Sequence, residues 1–486
     1  MRRHSAIALV LEGLLATGCA AGPDYRRPPV TTPEQVRGNE AATGAATDAA
    51  SLADRAWWEI VQDDVLKGLI DEALKNGYDV RLAAARVEEA RANAGIAGSG
   101  FYPAIQADGG WSRSRRPPGS TLGSAPLGLY DVNLGLTWEI DLWGRIRRLN
   151  QAALAEYLAS EEARRGVLLS LVSEVATSYF ELRSLDLQLD IARRTAGAFQ
   201  ETYALFNRRL EAGAASALET SSAEASLAST ASSIPDLERQ IVAQENRIAF
   251  LLGRPPGEIP RGAALNDQLL PPDVPAGLPS ALLERRPDLR EAEQRLVAAN
   301  AEVGVAMADF FPTLSLTGAF GGVSRQVSDL FGGGRTWSIG GGLLSPVFQG
   351  RRLKNQHRAA IARWEQAKVQ YEQSVTGAFE EVSTALVAYQ KLAGQEKEQA
   401  GAVTAYRQAV GLSNTRYVGG LSDYLEVLQA QQQLFPAENA LARTRFERLA
   451  TLVRLYKALG GGWKLAGPEW QRADLGGGSP FGRNEP

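Results

Sequence analysis

The sequence predicts a mixed fold in which short β-strands join very long α-helices, with the chain built as two copies of one unit. Three observations predict it. Sequence motifs recur between the two halves of the 486-residue chain. Both halves contain segments in which apolar and polar residues alternate strictly, the pattern of a half-buried strand. Residues 149–213 and 355–420 contain no proline and follow helical spacing.

The duplication is read from motifs that recur at a nearly constant offset. Phe101-Tyr102-Pro103 recurs as Phe310-Phe311-Pro312. A second set recurs with an offset of 207 residues, namely Arg209, Gly213, Leu218 and Glu219 as Arg416, Gly420, Leu425 and Glu426. A repeat of this size indicates two copies of one large supersecondary unit.

Composition excludes several classes of function. The net charge of −3 gives no electrostatic bias toward nucleic acid. The chain has one cysteine, Cys19, and two histidines, of which His4 lies in the predicted leader. These counts nearly exclude cysteine–histidine catalysis, histidine triads and zinc sites, and we expect no metal or cofactor. An enzyme that uses carboxylates alone stays open as an alternative.

The N-terminus predicts export. Residues 1–18 combine an arginine pair with a short apolar core, as in a signal peptide. The segment Leu15-Ala16-Thr17-Gly18-Cys19 resembles the lipobox of bacterial lipoproteins. That resemblance implies cleavage before Cys19 and attachment of diacylglycerol and an N-acyl chain, so that residues 19–63 form a lipidated N-terminal segment. The alternative is an ordinary signal peptide followed by an unmodified cysteine.

Strand signals occur once in each half. Residues 130–142 alternate over their whole length, and the predicted β-hairpins occupy about 104–142 and 313–345. After the leader, no segment reaches the ~20 apolar residues of a transmembrane helix, so any membrane span must use strands. A soluble β-sandwich shows the same alternation and remains an alternative at this point.

The strand count constrains assembly. Two hairpins give four strands, whereas transmembrane barrels need at least ~8, and an open sheet edge is not tolerated in lipid. One chain cannot close a barrel. A membrane barrel would therefore need several chains that each contribute four strands.

The long helices are the second unusual element. At ~1.5 Å per residue, each proline-free segment could reach ~100 Å. Each turns at a glycine corner, Gly213 or Gly420, and Gly166, Gly377 and Gly401 are expected to mark bends or breaks. Shorter helices are predicted at about 65–97 and 279–309. A soluble coiled-coil rod is the alternative, which the inserted strands argue against.

These predictions divide the chain into consecutive segments. The first structural repeat covers 64–260 and the second covers 279–463, with a linker at 261–278 between them. Residues 464–486 are polar and glycine-rich, so we expect a mobile tail.

Several motifs together resemble TolC-type outer membrane factors, specifically the lipoprotein branch called the NodT or OprM type. They are Gly22-Pro23-Asp24-Tyr25, Trp138-Glu139-Ile140-Asp141-Leu142-Trp143-Gly144-Arg145, Glu284-Arg285-Arg286-Pro287-Asp288-Leu289-Arg290, Phe310-Phe311-Pro312 and Arg416-Tyr417-Val418-Gly419-Gly420. The resemblance runs from Cys19 to about Trp463. It implies a homotrimer whose strands complete one outer-membrane β-barrel and whose helices continue it as a periplasmic α-helical barrel. It also implies a periplasmic adaptor and an inner-membrane pump of the resistance–nodulation–division class as partners.

The same resemblance points to the helix corners as a gate. Gly213 and Gly420 would lie deepest in the periplasm and contact the adaptor. Relatives narrow the tunnel there with leucine and aspartate rings. Leu425 matches the leucine position, whereas Gln429 replaces the aspartate.

The resemblance also suggests which residues set the charge of the predicted gate and which tyrosine acts as its latch. Glu426 matches an acidic ring position, and Asp423 lies one turn before it, so the mouth is expected to favour cations. The alternative places these carboxylates on the outer surface. Tyr417 matches a tyrosine with which relatives tie neighbouring helices, although the arginine expected near Ser422 is absent.

The function predicted from these features is a passive outer membrane duct that exports small molecules delivered by the pump and adaptor. Three alternatives remain. The same trimer could serve type I protein secretion, the chain could be a periplasmic structural or adaptor coiled-coil protein, or it could be a carboxylate enzyme.

Overall fold

The structure is a computed structural model, and it describes residues 20–30, 37, 57–115, 126–268 and 283–461. Cys19, the predicted signal peptide and the predicted C-terminal tail lie outside the described residues. Clustering of contacts divides the chain into two units, one of residues 1–29, 86–161 and 291–372, the other of residues 30–85, 162–290 and 373–486. Each unit is described by itself below.

The four strands and the long helices expected from the sequence are present. The first copy contains α1 (Trp57–Ile60), α2 (Asp64–Asn76), α3 (Tyr78–Ser99), β1 (Ala104–Ser114), β2 (Leu127–Ile140), α4 (Arg145–Glu211) and α5 (Ala217–Leu251). The second contains α6 (Pro287–Ala308), β3 (Thr313–Ser324), β4 (Arg335–Leu344), α7 (Arg352–Val418) and α8 (Tyr424–Ala458). Short 3₁₀ turns lie at Leu265–Asp267 and Val327–Asp329.

The duplication is visible as matched helix lengths. Helices α4 and α7 each have 67 residues, and α5 and α8 each have 35. Helices α3 and α6 both have 22 residues. Equal lengths in equal order establish that the sequence repeat is also a structural repeat.

The first unit contains one antiparallel sheet with strand order β1-β2-β3-β4. Thr137 pairs with Ala104 on β1 and with Thr317 on β3, so β2 joins the first hairpin to the second. Thr313 pairs with Leu344 in the second hairpin. Strands β2 and β3 are central, and β1 and β4 form the two edges.

The N-terminal segment also belongs to the first unit. Arg148, at the start of α4, donates hydrogen bonds to the carbonyls of Ala21 and Gly22 and to the Asp24 carboxylate at 2.8 Å. Asn300 donates to the Pro23 carbonyl at 2.9 Å. These contacts fix the first described residues after Cys19 beside the helix that follows β2.

The core of the second unit lies between α2, the middle of α4, the ends of α5 and α8, and the middle of α7. Its fully buried side chains include Leu66, Ile70, Tyr179, Ile248 and Leu455. Residues 261–268, which the sequence assigns to a linker, pack against this core through Leu265. Within the described residues, no helix is both long enough and apolar enough to cross a membrane.

The structure corrects two expectations about where the helices break. The helix expected at about 65–97 is two helices, because the backbone at Gly77 leaves the helical region at ψ 135°. A Cβ at Gly77 would lie 2.6 Å from the Ala73 carbonyl oxygen. Conversely, α4 continues through Gly166, and α7 continues through Gly377 and Gly401, so no break lies at these glycines, and the expected bends stay a prediction.

Candidate functional site

The two helix corners lie in the second unit and share one backbone geometry. Gly213 and Gly420 both have φ of +70°. At the first corner, Gly213 N donates to Leu210 O and Ala214 N donates to Arg209 O, and the equivalent bonds close the second corner. This pattern is a Schellman motif. Among the described residues, no atom lies within 4 Å of where a Cβ would stand at either glycine, so the left-handed backbone is what favours glycine there.

The helices that leave the corners begin differently. At the first corner, the Ser216 hydroxyl accepts from Glu219 N, and the Glu219 carboxylate accepts from Ser216 N at 2.8 Å, which completes a capping box. At the second corner, Asp423 stands at the N-cap but accepts no capping hydrogen bond. The first corner is therefore locked by its own side chains, whereas the second leaves the Asp423 carboxylate unused by the helix.

An apolar cluster, here called the tip cluster, holds the two corners together. Its buried members are Phe199, Phe206, Ala223, Tyr424, Val427 and Leu428. The rings of Phe206 and Tyr424 are 4.6 Å apart, and Tyr424 donates a hydrogen bond to Thr202 at 2.8 Å. Burial raises the pKa of the Tyr424 phenol, so this side chain stays neutral at physiological pH.

The tip cluster sets the rotational phase of α8, which the sequence left open. Tyr424, Val427 and Leu428 point into the cluster and are buried. The four predicted gate residues Asp423, Leu425, Glu426 and Gln429 are all exposed on the other face of the helix. Leu425 retains 52% of its accessible surface. Leu425 therefore presents an exposed apolar side chain, between the Asp423 and Glu426 carboxylates, to molecules outside this chain.

The two gate carboxylates have different surroundings. Glu426 Oε2 lies 3.3 Å from Nε of Arg416 in the same chain. Both side chains are about half exposed. This pair neutralises one of the two expected acidic groups, so Asp423 carries the remaining negative charge of the second corner.

The structure supplies an arginine for Tyr417. Arg209, at the end of α4, donates to the Tyr417 hydroxyl, and its guanidinium lies 5.7 Å from the centre of the Tyr417 ring. Sequence reasoning sought this partner near Ser422 and missed Arg209. The available signal was the repeat itself, because Arg209 is the counterpart of Arg416. The link connects the ends of the two long helices of one chain.

The described residues can also be compared with the requirements of a metal site. None of them forms a group of three or more His, Cys, Asp or Glu side chains able to hold a metal ion. The exposed leucine, the carboxylates and the arginines at the corners can restrict and select passage.

Comparison with known proteins gives one family. The profile of the family described as "Outer membrane efflux protein" matches residues 69–254 and again residues 278–461, once in each repeat.

Individual relatives extend the match over nearly the whole chain. The cation efflux system protein CusC of Escherichia coli is 35% identical over 453 residues, covering 93% of this chain and 97% of CusC. The probable efflux pump outer membrane protein TtgC of Pseudomonas putida is 35% identical over 465 residues, with coverage of 94% and 96%. The crystal structure of the open state of the MtrE outer membrane channel of Neisseria gonorrhoeae superposes with a TM-score of 0.82 at 32% identity, covering 92% of this chain and 99% of MtrE.

Proposed function

The chain belongs to the outer membrane efflux protein family, and we propose that three copies form one passive export duct for small toxic molecules. Membership confirms the resemblance seen in the sequence motifs. One observation carries the proposal: an open four-stranded sheet with two exposed edges is joined directly to 67-residue helices. A sheet of this kind can exist in lipid only as part of a barrel that further copies close.

Passive transport is proposed because the relatives are named as efflux proteins and outer membrane channels. In this proposal the duct takes its energy from an upstream pump. The partners are a periplasmic adaptor that contacts the corners at Gly213 and Gly420 and an inner-membrane pump. Relatives are named for cations, toluene and antibiotics, and the cargo proposed here is of the same small toxic kind.

A covalent lipid at Cys19 would anchor each copy in the membrane. The segment after Cys19 is held beside the end of β2, where Ala21 N donates to the Trp143 carbonyl at 2.8 Å. Acyl chains at Cys19 would thus enter the bilayer beside the sheet, at ~0.8 kcal/mol per buried methylene. Cys19→Ser should abolish labelling by radioactive palmitate, and an unlabelled wild-type protein would exclude the lipid anchor.

The second corner is the proposed gate. Leu425 restricts the opening sterically, Gln429 lines it one turn further along α8, and Asp423 with Glu426 sets its charge. Asp423→Ala and Glu426→Ala each remove one negative charge per chain, because the Arg416 charge that Glu426 pairs with is present in both variants. We therefore expect both variants to lower cation preference by similar amounts in planar-bilayer recordings.

The whole proposal is tested on the purified full-length protein. Light scattering in mild detergent should give a trimer, and the trimer should conduct ions in a planar bilayer. Deletion of the gene should raise susceptibility to at least one toxic cation, solvent or antibiotic, and expression of the intact gene should restore resistance. A monomer without conductance would overturn the proposed duct.

A further inference from the structure

The connection between β4 and α7 joins an exposed apolar turn to a run of basic residues. Val347 is 96% exposed and Phe348 is 88% exposed, shortly after β4 ends. Residues 345–364 contain four arginines and one lysine but no aspartate or glutamate. We propose that this connection binds the phosphate headgroup of an anionic phospholipid. The proposal rests on one part of the proposed function, namely that the sheet lies in a bilayer with the helices on its periplasmic side.

The equivalent connection in the first repeat is balanced by its own carboxylates. Arg145 donates two hydrogen bonds to the Glu139 carboxylate, at 2.9 and 2.7 Å. Arg147 donates to the Asp141 carboxylate at 3.1 Å. Each arginine therefore has a counter-charge within the same connection, and no outside anion is needed there.

The second repeat has lost both of these carboxylates. Helices α4 and α7 begin at equivalent residues, 207 positions apart, so the two acidic positions of the first repeat correspond to Pro346 and Phe348. The Arg352 guanidinium donates to the side-chain oxygens of Gln349 and Gln356, which carry no charge. The basic charge of the second connection therefore lacks the carboxylates that balance it in the first.

The backbone at Arg351 is a second, independent sign of function. Among the described residues, Arg351 is the one residue other than glycine with a positive φ, at +69°. Its counterpart is Gly144, whose φ is +77° and where a Cβ would lie 2.7 Å from Cα of Ala20. A left-handed backbone is unfavourable for every residue that has a Cβ. Arginine therefore holds this position in spite of strain, which is typical of functional sites.

Two of the basic residues lie on the side of α7 that faces away from the polar face of the sheet. Glu139 is one of the polar residues that alternate with apolar ones along β2, and its partner Arg145 marks that side of α4. The equivalent residue of α7 is Arg352. At about 100° per residue, Lys354 and Arg358 lie about 200° and 240° around the helix from Arg352. They therefore lie on the side of the sheet's apolar face, where lipid would be.

The chemistry of the connection fits an anionic lipid better than a neutral one. Ile339 and Leu343 are exposed on the apolar face of β4, and Val347 and Phe348 continue this apolar surface to the end of the sheet. Long basic side chains beside such a surface reach out of the hydrocarbon to the headgroup layer. A guanidinium binds phosphate through two parallel hydrogen bonds. A zwitterionic headgroup brings its own cation beside the phosphate, so a cluster of basic residues favours a headgroup with net negative charge.

Native mass spectrometry of the purified full-length protein tests this site. Wild type in mild detergent is titrated with dioleoylphosphatidylglycerol and, separately, with dioleoylphosphatidylcholine. We expect one phosphatidylglycerol per chain, bound at least about tenfold more tightly than phosphatidylcholine. The variant Arg351→Gln/Lys354→Gln/Arg358→Gln should bind both lipids equally weakly. Excess inorganic phosphate should not displace the lipid, because it lacks the acyl chains that pack on the apolar turn.

The matched control removes the same number of positive charges elsewhere. Lys75, Lys391 and Lys397 are exposed and lie in the second unit. Lys75→Gln/Lys391→Gln/Lys397→Gln should bind phosphatidylglycerol as tightly as wild type does. Loss of the preference in this control would show that net charge alone determines binding, and would overturn the site.

Arg351→Gly separates lipid binding from folding, because it restores the residue of the first repeat. It relieves the backbone strain, so the thermal midpoint should be at least that of wild type, while the affinity for phosphatidylglycerol falls about fivefold. A merely structural role for Arg351 would not produce this combination. Unchanged affinity in this variant would overturn the role assigned to Arg351.

The remaining outcomes distinguish the lipid site from the duct. Equal binding of the two lipids by wild type, or displacement by phosphate, would overturn the lipid site, and the duct would stand if the trimer conducts ions. If Phe348→Ala dissociated the trimer and left lipid binding unchanged, a second copy would cover the turn, and the lipid site would be overturned there. A monomeric wild type without conductance would overturn the duct, and the lipid preference would then be read per chain in the same spectra.

Discussion

At the residue scale, Asp63 shows how one buried carboxylate joins distant segments of the second unit. It accepts hydrogen bonds from Val65 N at 3.0 Å, from the Tyr179 hydroxyl at 3.0 Å and from Ala263 N at 2.9 Å. Gln268 donates to it at 2.9 Å. One side chain therefore caps α2, contacts α4 and holds the segment after α5.

Asp63 should make stability depend on pH. Burial raises the pKa of its carboxyl, but the hydrogen bonds from Gln268, Leu66, Tyr179 and Ala263 together lower it below the ordinary 3.8. A carboxyl with a lowered folded-state pKa stabilises the fold above its unfolded pKa and loses that contribution as pH falls through the folded value. Asp63→Asn should destabilise by about 1–3 kcal/mol at pH 7, and the difference from wild type should shrink below about pH 4.

Thermal unfolding in detergent, followed by circular dichroism at pH 7 and at pH 3, measures this difference. Asp64→Asn is the control, because the Asp64 side chain is 92% exposed and forms an ion pair with Lys67 on the helix surface. A gap between Asp63→Asn and wild type that is constant with pH would contradict the assigned role.

Tyr417 gives a second prediction at this scale. Tyr417→Phe removes the hydroxyl that accepts from Arg209 while it keeps the ring in contact with Tyr424 at 5.2 Å. Loss of this solvent-exposed hydrogen bond, worth about 0.5–1.5 kcal/mol, should raise the ratio of open to closed channels by about two- to tenfold. Single-channel recording measures this ratio.

The control for Tyr417→Phe is Tyr203→Phe, which changes another aromatic residue packed against the tip cluster. It should leave the ratio of open to closed channels unchanged. Equal gating of wild type and Tyr417→Phe would exclude the latch.

At the element scale, the two corners share a backbone but differ in their caps. Ser216→Ala should remove the capping box of α5 and destabilise its first turn by about 1 kcal/mol. The equivalent change in the second repeat, Asp423→Ala, removes no capping hydrogen bond and should leave α8 unaffected. Hydrogen exchange of the amides at 217–220 and 424–427 compares the two variants. Equal loss of protection at both corners would contradict this difference.

The positions of most strands and helices could be predicted from the sequence, because they depend on local signals. Alternation located the strands, and the glycines at 213 and 420 located the corners, since only glycine adopts φ of +70° at no steric cost. The break at Gly77 was missed because it depends on packing, with the Leu171 side chain 3.2 Å from where a Cβ would lie. The helices do not break at Gly166, Gly377 or Gly401, since an isolated glycine destabilises a long packed helix by only ~1 kcal/mol.

The candidate site was likewise predicted from the sequence only in part. Matching of the repeats placed Leu425 and Glu426 beside the second corner. It could not fix which face of α8 they occupy, because that depends on burial of Tyr424, Val427 and Leu428 in the tip cluster. The Arg209–Tyr417 link joins residues 208 positions apart, and such tertiary pairs leave no local pattern.

At the scale of the whole molecule, the duplication places identical residues at equivalent positions in the two repeats. Substituting each member of such a pair tests the effect of position while the residue type stays the same. Leu218 and Leu425 occupy the same place after the first and second corners. Both are exposed, at 77% and 52%. Leu218 is therefore the matched position at which to test whether Leu425 forms the constriction.

Leu425→Ala should widen the duct, because three leucines at one level of a three-fold axis would each lose their terminal carbons. We expect higher single-channel conductance and inward leakage of vancomycin, measured as increased susceptibility of intact cells. Trimer stability should change little, since an exposed side chain at a helix corner contributes little to packing. Leu218→Ala is the matched control and should leave conductance and susceptibility at wild-type values. If Leu218→Ala opened the duct and Leu425→Ala did not, the constriction would lie at the first corner, and the assignment of the gate to Asp423, Leu425, Glu426 and Gln429 would be withdrawn.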